Sequence, residues 1–157
     1  MEFLTCEMPA FFVIGKEGEA RPGCNPAPAL WEEANAHYAE VEALALRDEN
    51  GVPAGFWGAM SDLSRSFLPW EDNLSRGLYL AGVQVPADAL PPEGWTKWTV
   101  PAFKYVYVKA EGGYGDALRQ GLEYIQSQGL SLAGAVQDYH CPQENGQLYL
   151  FFPIRRL

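Results

Sequence analysis

Basic residues are scarce in this chain: eleven lysines and arginines stand against twenty aspartates and glutamates, a formal net charge of −9. A nucleic-acid interface displaces counterions from phosphates through clustered Lys and Arg. No such cluster occurs, which argues against direct DNA or RNA binding and leaves a field that favours cationic partners. Cysteine is scarcer still. Cys6, Cys24 and Cys141 are odd in number and scattered, unlike a disulfide framework. No His/Cys/Asp/Glu set has the spacing of a tetrahedral metal site; His140 and Cys141 are adjacent, but His37 is far away. Neighbours on a strand face opposite ways, so His140 is badly placed as a base for Cys141. EGGYGDAL, residues 111–118, lacks the lysine and spacing of a phosphate loop. Neither metal nor cofactor is expected. No basic stretch precedes the apolar start MEFLTCEMPAFF, and no run reaches the length of a membrane span. These absences point to a soluble, cytoplasmic protein without a membrane partner.

What is present is an echo. MPAFFVIGKEG (8–18) and VPAFKYVYVKAEG (100–112) each run Pro-Ala-Phe, an apolar stretch, then lysine, acid and glycine. Their offset, 101 − 9 = 92 positions, is too long for a solenoid period and suits two copies of one module. A length of 157 residues, 48% apolar, suits one domain with a full core.

The order of elements repeats with the echo. An extended segment over about 3–16 contains Pro9, which cannot donate to a ladder. Leu30, Ala34, Tyr38, Val41 and Ala45 then recur at helical spacing, with Asn25 as N-cap and Pro26 at the first helical position. GFWGAMSD is a short strand, SRSFLPWEDNLSR a loop, and GLYLAGVQV a strand. The second half replays this: a strand bent at Pro101, a helix with Ala117, Leu118, Gly121, Leu122 and Ile125 on one face and Gly129 at its end, GAVQDYHC, and the final strand QLYLFFPIR. Leu-Tyr-Leu occurs at 78–80 and again at 148–150. The pattern predicts an α+β domain over 1–157, a tandem βαββ pseudo-twofold repeat (about 1–92 and about 93–157). Its two halves would join in one antiparallel sheet with both helices on one face.

The run GFWGAMSDLSRSFLPWEDNLSRGLYLAGVQVP, then GWTKWTVPAFKYVYV, GAVQDYHCP and LYLFFPIR, resembles the GyrI-like effector-binding domains, the drug-binding domains of AraC-type and MerR-type regulators and their standalone relatives. The resemblance covers essentially the whole chain. It implies the same tandem βαββ fold, with a pocket at the pseudo-twofold axis between the two helices. It also implies a bulky, flat aromatic ligand that is often cationic. In many members a buried glutamate lies four residues before the proline of the closing strand motif; here that proline is Pro153, and the position holds Tyr149. Glu33, Asp138 and Glu123 are alternative carboxylates.

Strand alternation puts Tyr149 and Phe151 on one face, the pocket face by the resemblance, against the plainer reading of core aromatics. By the tripeptide echo Tyr79 mirrors Tyr149 and Ala81 mirrors Phe151, the small residue leaving room for a ligand. Trp31 in the helix, Trp57 on the short strand and Tyr107 complete the candidate walls. Trp70, with Phe67 and Leu68, is a candidate lid or a satellite cluster under the loop. Three functions follow. The leading one is a standalone protein holding a planar aromatic ligand, with a homodimer or a separate regulator as partner, since the two modules fill the chain. A hydrolase of cyclopropane-bearing natural products and a protein-inhibiting partner are the alternatives.

Overall fold

The computed structural model describes all residues, 1–157. The Pro-Ala pairs explain its architecture. At Pro9-Ala10 the first extended segment breaks into β1 (Phe3–Met8) and β2 (Phe11–Ala20). At Pro101-Ala102 its echo breaks into β5 (Thr96–Val100) and β6 (Phe103–Lys109). The fragments diverge: β1 pairs with β6, while β2 pairs with β5 and with β4 (Gly77–Val85). Each half therefore lends a strand to the other.

With β3 (Phe56–Ser61), β7 (Gln137–Cys141) and β8 (Gln147–Arg156), the antiparallel order is β1-β6-β8-β7-β3-β4-β2-β5. Exchanging β1 with β5, β2 with β6, β3 with β7 and β4 with β8 reverses that order onto itself, which is the expected pseudo-twofold. The seam is the β3–β7 pair, where Gly58 faces Asp138.

Both long helices lie on one face. Helix α1 (Ala27–Ala36) packs Ala34 and Trp31 against Tyr79, Ala81 and Val83 of β4. The predicted helix continued to Ala45. Instead the chain leaves it at His37 and makes two tight turns, which drop Val41 into the core and bring Glu40 to the Trp95 indole N–H at 3.0 Å. Pro26 itself takes the cap position, and the Asn25 side chain accepts the Ala27 N–H at 3.0 Å. Helix α3 (Tyr114–Ser127) buries Ala117, Gly121 and Ile125 against Val106, Val108, Leu150 and Phe152. A Cβ at Gly121 would stand 2.1 Å from the Phe152 ring, so glycine permits that approach. The helix ends as expected at Gly129, with the Leu130 N–H on the Ile125 carbonyl and the Gly129 N–H on that of Gln126.

The 62–76 loop carries a single turn, α2 (Glu71–Leu74), in which Asp72, Asn73 and Leu74 have φ of 50°, 58° and 63°. It straddles the sheet. Phe67 enters the core of the helix-free face, and Trp70 packs on the helix side, donating to the Leu78 carbonyl at 3.1 Å.

Candidate ligand-binding site

The helix-free face carries a box of aromatic rings. Phe151 is its centre. Its ring stacks on Tyr107 with centroids 5.0 Å apart and planes 10° off parallel, and meets Trp57, Tyr105 and Tyr139 at 5.5, 5.5 and 5.9 Å. Four strands contribute these rings, β3, β6, β7 and β8, so strand pairing rather than loop conformation fixes their separation. Polar tips are tied to the periphery. Trp57 donates to Gln84 Oε1 at 2.9 Å, and Tyr139 donates to the Ala54 carbonyl at 2.8 Å. Gly55 makes room for Tyr139, whose ring would lie 2.1 Å from any Cβ there.

Trp57, Tyr107, Tyr139 and Phe151 line an open hollow of about 550 Å³, bounded also by Met8, Cys6, Cys141 and Glu144. Glu144 is the one charged side chain in its wall. It sits on the turn between β7 and β8, just before the left-handed pair Asn145 and Gly146. The Tyr149 hydroxyl donates to both its oxygens, at 2.8 and 3.0 Å, and this bonding pushes the tyrosine up to about 12.

Of the eight residues predicted from sequence, Trp57, Tyr107, Tyr149 and Phe151 line this hollow. Tyr79, Ala81, Trp31 and Trp70 do not; they lie on the opposite, helix-bearing face. The largest hollow is accordingly not between the helices, where the resemblance placed the pocket. Nor does Tyr79 mirror Tyr149. Adding 92 to Gly15 and Glu17 gives Tyr107 and Lys109. Gly15 pairs with Gly82 and Glu17 with Leu80, whereas Tyr107 pairs with Phe151 and Lys109 with Tyr149. The structural counterparts are thus Leu80 with Tyr149 and Gly82 with Phe151. A bulge between Lys104 and Tyr105, opposite Ile154, supplies the one-residue slip. A slip of one exchanges the faces of a strand.

On the helix face, Tyr79 has a different partner. Its hydroxyl donates to Asp138 Oδ2 at 3.0 Å and accepts the Trp31 indole N–H at 2.9 Å. Asp138 is buried, and desolvation pushes its carboxyl up to about 7 against the opposing pull of the Tyr79 and Tyr114 hydroxyls. Glu33 and Glu123, the other carboxylates considered, are exposed and face Lys16 and Arg119.

Tyr139 and Glu144 were missed by sequence reasoning. Period-two alternation from Tyr139 through Cys141 signals a shared face, but only the β3–β7 pairing shows that this face is Trp57's. Nothing in the sequence separates Glu144 from other surface acids.

No family model matches the chain, and no curated protein matches it. Solved structures do. The structure of SAV2435 bound to tetraphenylphosphonium superposes with a TM-score of 0.66 at 16% identity, over 99% of this chain and 94% of that one. An integron cassette protein of Vibrio cholerae gives 0.68 at 16%, over 98% and 95%. The EcmrR C-terminal domain gives 0.63 at 14%, over 99% and 98%. At these identities the likeness is one of fold.

Proposed function

We propose that this protein binds a small molecule bearing flat aromatic rings in the hollow of the helix-free face, and that it favours a cationic one. The observation that carries this reading is the ring box itself. Its volume lies in the range of small-molecule sites, its walls are aromatic, and its one charge is negative. The faces of Trp57, Tyr107 and Phe151 attract a cation through their quadrupoles, roughly 0.5 to 2 kcal/mol each depending on desolvation. Glu144 adds the Coulomb term that a strand glutamate at position 149 would otherwise provide. The fold shared with a tetraphenylphosphonium-bound protein and with a regulator's C-terminal domain supports a binding or sensing role.

The test is a titration with tetraphenylphosphonium and with neutral triphenylphosphine oxide, followed by tryptophan fluorescence, on the native protein and on Phe151→Ala. Saturable quenching, tighter for the cation and weakened at least tenfold by the substitution, is expected. Mass spectrometry of the recovered compounds should show them unchanged. Absence of quenching by both compounds, or indifference to Phe151→Ala, would sink the reading, and a water adduct of a reactive substrate would replace it with the hydrolase.

A further inference from the structure

The one negative charge in the wall of the aromatic hollow is not free. Lys109 Nζ lies 3.8 Å from Glu144 Oε1, with the two side chains 44% and 43% exposed. Strand register puts the lysine there. Lys109 ends β6, shares the helix-free face with Tyr105 and Tyr107 by alternation, and pairs with Tyr149 on β8. The Tyr149 hydroxyl donates to both Glu144 oxygens and so fixes the carboxylate beside it. Glu144 borders the hollow; Lys109 does not, and reaches the carboxylate from outside it. At 3.8 Å the ammonium is beyond hydrogen-bond reach, so the pair is held by charge alone. Such half-exposed pairs are weak, because solvent and side-chain entropy offset most of the attraction.

A smaller hollow, of about 310 Å³, adjoins the first. Tyr107 and Tyr149 wall both, and their rings, with centroids 6.4 Å apart, form the partition. Lys109 lines this outer hollow together with Glu2 and Glu111. Both acids are exposed, and no ion pair of the molecule engages either one. The lysine therefore has carboxylates within its own hollow to turn to when it leaves Glu144.

From this arrangement we infer that Lys109 is a specificity-determining residue of the aromatic hollow: it is the protein's own counter-ion to Glu144, which a ligand cation displaces and a neutral ligand leaves in place. The inference rests on the reading of that hollow as a binding site. Binding of a cation exchanges one positive charge for another at the same carboxylate, and the released ammonium turns outward to Glu2 and Glu111. Lysine suits the role because it pairs as a point charge on a flexible stem. Arginine would instead grip Glu144 with a bidentate fork. With Lys109 seated, the mouth of the hollow carries no net charge, so neutral aromatic molecules are admitted as well. The lysine thus sets how strongly the hollow prefers a cation.

The test is calorimetric titration with tetraphenylphosphonium and triphenylphosphine oxide on the native protein, Lys109→Met and Lys109→Arg. The first variant removes the charge; the second keeps it and tightens the pair. Lys109→Met should bind the cation about threefold more tightly and Lys109→Arg about threefold more weakly than the native protein. The neutral oxide should bind all three alike. Lys104→Met removes the same charge about 16 Å away along β6, on the other face of the sheet, and should change neither isotherm. In a Glu144→Gln background, Lys109→Met should no longer alter the affinity for the cation. If Phe151→Ala weakens the cation but the three side chains at position 109 bind it alike, this inference falls and the binding reading stands. A gain in Lys109→Met with no loss in Lys109→Arg, or an equal gain for the oxide, also overturns it, since a diffuse field or a steric change would then suffice. Failure of tetraphenylphosphonium to bind any of the proteins overturns both.

Discussion

Leu78-Tyr79-Leu80 and Leu148-Tyr149-Leu150 are the same three residues on pseudo-equivalent strands, yet their side chains point to opposite sides of the sheet. In β4 the tyrosine faces α1 and bonds Asp138; in β8 it faces away from the helices and bonds Glu144. The bulge at Lys104/Tyr105 accounts for the difference. Duplicated sequence therefore does not carry duplicated surroundings here. One half presents Leu80 and Gly82 to the helix-free face, where the other presents Tyr149 and Phe151, and the aromatic hollow lies on the second half's side.

The sharpest way to break this comparison is to place the same charge on neighbouring residues of β8. Leu150 is fully buried and pairs with Asp138, so Leu150→Glu sets two carboxylates side by side under α3. A loss of more than about 4 kcal/mol is expected, enough to leave the chain unfolded. Tyr149→Glu, one position away at the mouth of the hollow, should change stability by no more than about 1 kcal/mol. Urea denaturation of the two variants measures the contrast; equal effects would refute the assigned register.

Asp138 offers a smaller, pH-dependent contrast. Its folded value of about 7 lies above the ordinary 3.8. Its contribution to stability is therefore fully present below pH 3.8 and is lost as pH rises through 7. Between pH 5 and pH 8 this one group should remove about 2 to 3 kcal/mol. Asp138→Asn should flatten that slope and be the more stable protein at pH 8, read from urea midpoints at both pH values. Glu144→Gln, which keeps Asp138, should retain the native slope.

Gly58→Ala should cost about 2 kcal/mol, because the new methyl meets the Tyr79 hydroxyl of the neighbouring strand β4. The smallest effect is expected at Glu144. Glu144→Gln should leave thermal stability within about 0.5 kcal/mol and weaken tetraphenylphosphonium about five- to tenfold, with triphenylphosphine oxide unaffected. Paired isotherms for the two compounds check this.

Much of the fold was legible because its signals are local. Pro9 and Pro101 mark the two breaks, Gly129 ends α3, and alternation along GLYLAGVQV and QLYLFFPIR marks two strands. The end of α1 was not legible. Residues 38–45 are helix formers by propensity, but packing Val41 and bonding Glu40 to Trp95 give more than continuing the helix would. The site divided in the same way. Tyr149 and Phe151 share a face by period two alone, so their grouping needed no partner strand. Assigning Tyr79 to that face needed the register between β6 and β8, and the bulge that sets it leaves no mark in the tripeptide echo. Asp138 was visible as a candidate carboxylate, but its burial comes from the β3–β7 pairing, a contact between residues 80 positions apart (138 − 58).

The central claim is that the ligand lies on the face without helices. A crystal structure of the tetraphenylphosphonium complex tests it most directly. The account predicts phenyl groups among Trp57, Tyr107, Tyr139 and Phe151, with phosphorus on the side of Glu144. Density for the ligand between α1 and α3, beside Asp138, would contradict it.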